Sequence, residues 1–262
     1  MIMDPKVKRT TLYRRKQILQ KINEKGEVLI NELSKEFEVS EVTIRNDLRQ
    51  LEQKRTLVRA RGGAIKMHSN VSLDQRISDK DKINYLEKAA IGKKAAELVK
   101  EGDTMIMDSG TTTAEIVKNL SGFEELTIIT NALNIVNQLI SLPKIKVIIP
   151  GGYLRRTSMS LVGPLAEKNF NKFYVDKVFL GVDGFDIHQG IYTPIFEEAH
   201  LNEIMIEVSR EVILVADSSK FRRRSLAFIC PIDIIDTVVT DSGISTEDQR
   251  KLEDAGIKVI IA

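Results

Sequence analysis

The sequence predicts an α/β protein of two domains: a winged helix-turn-helix at the N-terminus, then a mostly parallel α/β domain. Residues 39–48 have the pattern of a capped amphipathic helix, and a basic, glycine-containing segment over residues 57–65 follows them. Farther along, short β-branched runs alternate with helical segments, which is typical of a parallel sheet covered by helices on both faces. The charge divides at the same place, because the first 66 residues carry a net charge of +7 and the remainder carries −5.

Two helices are predicted before the amphipathic one. The first, over residues 13–23, carries apolar side chains on one face and ends at Gly26, a residue that favours a helix end. Asn31 is predicted to cap the second, which covers residues 32–37. A turn at residues 38–39 then leads into the third helix.

The third helix separates an apolar stripe from a polar one. Its apolar side chains, Ile44, Leu48 and Leu51, recur at i, i+4 and i+7, so one stripe is expected to be buried. Side chains of the other stripe have the hydroxyl, amide and guanidinium groups that read base edges in the DNA major groove. Ser40 is predicted to cap this helix as well. The DNA-binding residues predicted here are Ser40, Thr43, Arg45, Asn46 and Arg49.

A basic hairpin is predicted after these helices. Arg59 and Arg61 lie beside Gly62 and Gly63, so the glycines would allow a close approach to the DNA backbone or minor groove while the arginines supply charge. Helix, helix, helix and basic hairpin make a winged helix-turn-helix, and Arg59 and Arg61 complete the predicted DNA-binding set. A three-helix bundle with a solvated charged face is the alternative, but such a bundle does not explain why arginines lie beside two glycines at a turn.

Residues 67–81 are rich in Ser, Asp, Asn and Lys and have little periodicity, which predicts a linker between domains at residues 1–66 and 82–262. No apolar run approaches the ~18 residues that span a membrane, and no secretory signal is predicted, so a cytoplasmic protein is expected. A single cysteine, Cys230, cannot form a disulfide within the chain. The three histidines lack ligand spacing, and neither a metal nor another cofactor is expected.

The second domain alternates helices and strands. Its strands are predicted at residues 104–108, 126–130, 145–149, 177–182, 212–216, 237–240 and 258–261. Its helices are predicted at residues 85–100, 114–120, 132–140, 197–209 and 246–253.

Polar residues follow many of these strands. In an open parallel sheet the carboxyl ends of the strands converge on one crevice, where ligands bind. The segment 110–113 leads into a helix, where free amides and hydroxyls suit a phosphate, although threonines in that position are as often simple caps. It matches neither a P-loop nor a dinucleotide fingerprint. The predicted ligand-binding residues are Asp108, Ser109, Gly110, Thr111, Thr112, Thr113, Thr130, Asn131, Gly151, Gly152, Asp183, Glu197 and Lys220.

Both domains resemble the DeoR family of bacterial transcription regulators. In the first domain the resemblance covers residues 39–51 and 59–63. In the second it rests on Asp108-Ser-Gly-Thr-Thr-Thr113, Thr130-Asn131, Gly151-Gly152, Gly181-Val-Asp-Gly-Phe185 and Asp217-Ser-Ser-Lys-Phe221. It implies a repressor that responds to a sugar phosphate, with a sensor domain similar in fold to ribose phosphate isomerases.

The resemblance is strongest to regulators of N-acetylgalactosamine, related amino-sugar or tagatose utilisation, and Ile195 departs from it, since a polar residue such as Asn is expected there. The phosphate is expected at residues 110–113 with Lys220 nearby, while Asp183 and Glu197 hold sugar hydroxyls.

Asn131 and Gly152 are expected to line the floor of the effector crevice. The linker at residues 67–81 is expected to move when the effector binds. The partners are double-stranded operator DNA, the effector and a second copy of the chain, because a winged helix that reads repeated half-sites implies at least a dimer.

An enzyme with an appended DNA-binding domain is the competing hypothesis. Asp183, Glu197 and Lys220 offer groups for proton transfer at a sugar C–H, as in a sugar-phosphate isomerase or deaminase. The predicted crevice offers no histidine, and a regulator needs only recognition. The sequence therefore predicts a regulator rather than an enzyme.

Overall fold

The computed structural model describes residues 10–25, 27–53, 57–60, 62–66 and 74–262, and side chains are not described at residues 23–25, 27, 53, 58–60 and 65–66. The chain divides into two compact units, Met1–Ser69 and Asn70–Ala262. None of the described helices combines the length and apolar character that crossing a membrane requires.

The first unit has the winged helix-turn-helix arrangement. Its helices and strands are α1 (Thr11–Lys25), β1 (Glu27–Leu29), α2 (Ile30–Phe37), α3 (Glu41–Gln53), β2 (Leu57–Ala60) and β3 (Gly63–Lys66). The hairpin of β2 and β3 is antiparallel, and β1 pairs with the outer side of β3. Apolar side chains of all three helices and of the sheet form one core, in which Ile18, Ile44 and Leu48 are completely buried. The predicted winged helix-turn-helix is thus confirmed.

The two predicted helix caps in this unit have different outcomes. Ser40 caps α3, because its hydroxyl accepts a hydrogen bond from the Thr43 amide at 3.2 Å. The prediction for Asn31 is wrong, since α2 already begins at Ile30 and Leu29 occupies the N-cap position. Asn31 lies in the first turn, where its Oδ1 accepts from the Glu32 amide at 2.8 Å. The cap residue of a short helix is hard to read from sequence when a strand runs directly into it.

The second unit is built on a parallel sheet with helices on both faces. Among the described residues its strand order is β15-β14-β12-β9-β4-β5-β6, and every pairing in it is parallel. Its strands are β4 (Thr104–Met107), β5 (Leu126–Thr130), β6 (Ile145–Ile148), β9 (Val175–Leu180), β12 (Ser209–Val215), β14 (Thr237–Thr240) and β15 (Lys258–Ile261). The predicted parallel α/β class is confirmed, with strand ends within a few residues of those expected.

Two helical layers cover the sheet. The helices are α4 (Ile77–Lys80), α5 (Tyr85–Ala96), α6 (Thr111–Val117), α7 (Leu133–Leu139), α8 (Pro164–Phe170), α9 (Phe196–Glu207) and α10 (Thr246–Asp254). Side chains of α5, α6 and α7 pack on one face with Met105 and Met107, whereas α8, α9 and α10 share a core with Ile106. The alternation along β4 follows from the two-residue period of a strand.

Short antiparallel strands, which the sequence analysis did not assign, join the main elements. They are β7 (Tyr153–Arg155), β8 (Ser160–Val162), β10 (Gly184–Asp186), β11 (Gly190–Thr193) and β13 (Ala227–Cys230). Three of these strands, β7, β8 and β10, have only three residues, which is too short to show a periodic pattern, and α8 is a short helix that follows β8.

The predicted linker packs on the second unit from Asp74 onward. Ile77 donates its amide hydrogen to the carbonyl oxygen of Thr157 at 2.8 Å, and Asp74 pairs with the Arg155 guanidinium. The earlier part of that linker, residues 67–73, lies outside the described residues. We call residues 74–81 the strap. Its contacts are polar, and a segment held by hydrogen bonds and ion pairs has no apolar periodicity that a sequence pattern would reveal.

Candidate functional site

Helix α3 of the first unit presents an exposed polar stripe opposite its buried one. Asn46 and Arg49 are exposed, and Arg45 is half-exposed with its guanidinium 3.0 Å from the Glu41 carboxylate, one turn earlier. Ser40 and Thr43 are already committed to the start of the helix, because their hydroxyls lie 3.0 Å apart and the Ser40 hydroxyl caps the Thr43 amide. Asn46 and Arg49 are therefore the best placed of the predicted residues to reach base edges.

The hairpin tip carries the other predicted basic residues. The side chain of Arg59, which follows Val58 in β2, and all of Arg61 lie outside the described residues. The two glycines have separate roles: Gly62 has a φ of 85°, whereas a Cβ at Gly63 would lie 2.2 Å from the carbonyl oxygen of Val28. Gly63 is therefore required for the close pairing of β1 with β3, and not only for an approach to DNA.

A cavity in the second unit opens at the carboxyl ends of β4 and β9. These strands are neighbours, and the chain runs from β4 toward β6 on one side and from β9 toward β15 on the other. This reversal of strand order is the point at which open α/β sheets bind ligands. The residues lining the cavity are Gln75, Ile77, Lys80, Lys88, Asp108, Ser109, Gly110, Thr111, Thr112, Ser158, Gly181, Val182, Asp183, Thr193, Glu198, Asn202 and Lys220.

The structure brings together some of the predicted ligand-binding residues and separates others. Those that line the cavity are Asp108, Ser109, Gly110, Thr111, Thr112, Asp183 and Lys220. Those that do not line it are Thr113, Thr130, Asn131, Gly151, Gly152 and Glu197.

Thr113, Thr130 and Asn131 have structural hydrogen bonds instead. The Thr113 hydroxyl donates to the carbonyl oxygens of Asp108 and Gly110, at 3.2 and 3.0 Å, and so holds the turn before α6. Thr130 Oγ1 accepts from an amide at 3.1 Å, and Asn131 Nδ2 donates to the carbonyl oxygen of Leu161 at 3.0 Å. Asn131 is not among the residues that line this cavity, because β5 is one strand removed from the reversal and its end is joined to β8. Asn131 Oδ1 has no partner among the described residues.

Gly151 and Gly152 are glycines for backbone reasons. Both have positive φ values, 83° and 124°, and a Cβ at Gly152 would lie 2.6 Å from the carbonyl oxygen of Val162. Gly152 is not among the residues that line the cavity, and β8 occupies the space beside it.

Glu198, and not Glu197, faces the cavity from α9. Glu197 is exposed, and neighbouring helical residues point about 100° apart, so only one of the pair can face inward. The Glu198 carboxylate accepts from Arg155 at 2.6 Å and from the Thr193 hydroxyl at 3.3 Å. Ile195, where a polar residue was expected, occupies the N-cap position of α9 and does not line the cavity.

Two lysines that the sequence analysis missed lie in the cavity wall. Lys88 is on α5, four per cent exposed, and donates to the carbonyl oxygen of Lys80 at 2.5 Å. Lys80 is in the strap and lies 2.8 Å from the Asp183 carboxylate, which Lys220 approaches to 3.6 Å. A lysine one turn before Ile91, on the buried face of a predicted helix, was the available signal for Lys88. Lys80 gave none.

The lysines and Asp183 perturb one another. Burial lowers the pKa of Lys88, and the neighbouring Lys220 lowers it further. Burial also lowers the pKa of Lys220, although Asp183 opposes the shift. Burial acts to raise the pKa of Asp183, but Lys80 and Lys220 outweigh it and the pKa is lowered. One carboxylate, Asp183, therefore lies between Lys80 and Lys220, and Lys88 is close enough to Lys220 for the two to affect each other.

Asp108 at the end of β4 is in a different state. It is three per cent exposed, its Oδ2 accepts from the Gly181 amide at 3.1 Å, and its Oδ1 has no partner among the described residues. Burial raises the pKa of this carboxyl to about 8, and the charges of Glu198 and Asp183 act in the same direction. Asp108 is therefore mostly protonated at neutral pH and can donate a hydrogen bond as well as accept one.

This shift predicts a pH-dependent stability. The folded state holds the Asp108 proton more tightly than the unfolded chain, whose carboxyl has a pKa of 3.8, so the contribution to the free energy of unfolding falls as pH rises from about 4 to about 8. Between pH 6 and pH 8.5, the free energy of unfolding of the unaltered protein should fall by on the order of 2 kcal/mol relative to that of Asp108→Asn. Denaturant unfolding at the two pH values measures this change. Asp79→Asn, at an exposed position, is the control. Parallel pH profiles for all three proteins would contradict the assignment.

No group of His, Cys, Asp and Glu side chains in the described part of the chain is arranged to hold a metal ion. The cavity lining instead offers ammonium groups and hydroxyls, from Lys80, Lys88, Lys220, Thr111 and Thr112, together with carboxyl and amide groups. This arrangement can bind an anionic ligand that also carries hydroxyl groups.

Two family models match the chain. The DeoR-like helix-turn-helix domain matches residues 14–70, and the DeoR C terminal sensor domain matches residues 83–242.

Relatives are similar to nearly the whole chain. A protein of Escherichia coli O157:H7, provisionally named an aga operon transcriptional repressor, is 40% identical over 252 residues, covering 96% of this chain and 94% of that one. The transcriptional repressor AccR of Agrobacterium fabrum is 35% identical, covering 97% and 98%. The glycerol-3-phosphate regulon repressor of Escherichia coli K12 is 31% identical, covering 92% and 95%.

Among solved structures, the ribose 5-phosphate isomerase A of Methanocaldococcus jannaschii is 17% identical, with a TM-score of 0.40, over 53% of this chain and 55% of that one. A likeness at this level supports no conclusion about the chemistry of this chain.

Proposed function

The chain belongs to the DeoR family of transcriptional regulators, and from that premise we propose that it represses a carbohydrate-utilisation operon under the control of a phosphorylated sugar bound in its second unit. It is a DNA-binding regulator rather than an enzyme, in keeping with the names of its relatives. Two of those names refer to an aga operon and to a glycerol-3-phosphate regulon. The protein acts on operator DNA in the cytoplasm.

The convergence of three lysines on the cavity is the observation that carries the effector proposal. Lys80 and Lys220 share the charge of Asp183, whereas Lys88 donates to a carbonyl oxygen and has no carboxylate within ion-pair distance among the described residues. A buried ammonium without a counter-ion is costly, and a phosphate would supply that counter-ion. Hydroxyls of Ser109, Thr111 and Thr112 line the same cavity and can donate to phosphate oxygens.

The remaining polar groups suit the sugar. Asp108 has an unpaired carboxyl oxygen, and Asn202, Thr193 and Glu198 line the cavity beside it. An unpaired buried oxygen gains a full hydrogen bond when a ligand hydroxyl reaches it, because no internal partner has to be displaced. The competing isomerase hypothesis loses one of its three groups, since Glu197 lies outside the cavity.

The strap offers a route by which the ligand affects the rest of the chain. It contributes Gln75, Ile77 and Lys80 to the cavity wall, and Lys80 shares the charge of Asp183. A ligand that contacts Asp183 or Lys80 therefore changes what holds the strap. A ligand can alter DNA affinity only by binding one arrangement of the protein better than another, and a tenfold change requires about 1.4 kcal/mol of such preference.

The decisive experiment adds sugars to a protein–DNA titration. The duplex is one selected from a randomised pool by the unaltered protein, and the ligands are hexose 6-phosphates, amino-sugar 6-phosphates and the corresponding free sugars. One phosphorylated sugar is expected to change DNA affinity at least tenfold, while its free form does not. The proposal is wrong if no phosphorylated sugar binds by calorimetry, or if the free sugar binds as tightly.

A strap variant separates binding from its consequence. Asp74→Asn removes the ion pair that holds the strap to Arg155 and leaves the cavity lining intact. This variant is expected to bind the phosphorylated sugar normally and to show a smaller change in DNA affinity. A full response in Asp74→Asn would exclude the strap as the route.

We also propose that the protein binds its operator as a dimer or a higher oligomer, because each of two paired half-sites is read by one winged helix-turn-helix.

A further inference from the structure

A buried carboxylate lies in the helix that reads DNA. Asp47 is two per cent exposed and directly follows Asn46, which is exposed. Successive helical residues are rotated by about 100°, so Asp47 sits at the border between the buried stripe of Ile44 and Leu48 and the exposed stripe that contains Asn46. An acidic group at the edge of a DNA-binding surface is unfavourable unless it is neutralised.

Two arginines of α1 neutralise it. Arg14 Nε lies 2.5 Å from Asp47 Oδ2, and Arg15 Nε lies 2.8 Å from Asp47 Oδ1. The cluster therefore keeps one positive charge in excess. The Arg14 side chain is buried, whereas 28% of the Arg15 side chain is exposed. The excess charge is thus presented to solvent through Arg15, at the border of the exposed stripe of α3.

We propose that Asp47 is a positioning residue, which holds the Arg15 guanidinium at the edge of the reading helix so that its outer N–H groups bind a DNA phosphate. A guanidinium has five N–H donors, and the bond from Nε to Asp47 uses one of them. Within the described part of the chain, the other donors of Arg15 have no hydrogen-bond partner. A fixed phosphate contact beside Asn46 sets the register of the helix on the duplex.

For Asp47→Asn, the proposal predicts a change in DNA affinity opposite to the change expected from charge alone. If Asp47 acted on DNA only through its charge, then Asp47→Asn would strengthen binding, because it removes a negative charge from the surface that faces phosphates. If Asp47 acts by holding Arg15, the same substitution weakens binding, because the Arg15 side chain must then be ordered at the moment of contact. A merely structural carboxylate would lower the unfolding midpoint and leave the salt dependence of binding unchanged.

The test measures DNA affinity against salt concentration for the full chain, with a selected duplex and a random one. Arg15→Met should lower the slope of log K against log salt by about 0.9, the value for one phosphate contact, and weaken binding to both duplexes. Asp47→Asn should weaken binding by a similar factor, and the double variant should be no weaker than Asp47→Asn alone. Asp47→Glu, which keeps the carboxylate, should retain the original slope.

Lys21→Met is the matched control. It removes a positive charge from the same helix, but Lys21 pairs with Glu36 at 3.0 Å and should leave the slope unchanged. An unchanged slope in Arg15→Met, or tighter binding by folded Asp47→Asn, would overturn the proposal. If circular dichroism shows that Asp47→Asn does not fold, the salt slope of Arg15→Met decides alone. In Arg15→Met the carboxylate of Asp47 is still neutralised by Arg14.

Discussion

Asn46→Ala and Arg49→Ala are each expected to weaken binding to the selected operator by about 1–3 kcal/mol, roughly 5- to 150-fold in Kd. Both side chains are exposed on α3, whose buried stripe is held in the core of the first unit. Side chains that hydrogen-bond to base edges are worth this much for the right base and nothing for the wrong one. Fluorescence titrations with the selected duplex and with a random duplex measure the effect.

The comparison of duplexes identifies what each side chain contacts. A residue that reads a base loses affinity for the selected duplex and little for the random one, whereas a phosphate contact weakens both alike. Lys35→Ala, on the exposed face of the preceding helix α2, is a control for loss of a positive charge. If Asn46→Ala and Arg49→Ala both bound the selected duplex with unchanged Kd, α3 would not be the reading helix.

Lys88→Met is expected to weaken binding of the phosphorylated effector by about 2–5 kcal/mol, at least about 30-fold in Kd. Lys88 is almost completely buried in the cavity wall, burial and the neighbouring Lys220 lower its pKa, and no carboxylate lies within ion-pair distance of it among the described residues. The ligand-free variant is expected to be as stable as the unaltered protein or more so, because methionine removes a poorly compensated buried charge and keeps the side-chain length.

Isothermal calorimetry and denaturant unfolding check the two halves of this result. Lys94→Met is the matched control on the same helix, since the Lys94 side chain is half-exposed and pairs with Glu97 at 2.8 Å. Effector affinity that survived in Lys88→Met would remove Lys88 from the phosphate site. Unfolding of Lys88→Met without ligand would instead indicate that the lysine supports the strap through the carbonyl oxygen of Lys80.

Patterns within one element were readable from the sequence. The stripe of Ile44, Leu48 and Leu51 predicted the buried face of α3, and the three residues are buried as expected. Ser40 could be recognised as a cap, because its partner lies only three residues ahead. Such features depend on neighbours within one or two turns, and chain geometry fixes those neighbours once the element is known.

What the sequence did not reveal concerns residues whose neighbours lie far along the chain. Asp108 and Gly181 are 73 residues apart and meet because β4 and β9 are adjacent in the sheet. Asn131 and Gly152 also follow strands, but their strands lie on the other side of β4, where β8 closes the space. A strand-end position is visible in sequence, while the strand order that decides which ends share a cavity is not.

By itself, then, the sequence determined the winged helix-turn-helix, the parallel α/β class and the kinds of polar group that follow the strands, because each follows from local periodicity, capping and composition. Only the tertiary structure decided that Glu198 rather than Glu197 faces the cavity, that Lys80 and Lys88 add positive charge to its wall, and that residues 74–81 of the predicted linker contribute to that wall. These facts depend on the rotation of α9 and on ion pairs between distant segments. The physical reason is that such contacts are set by how elements pack, and no spacing within a single element encodes that packing.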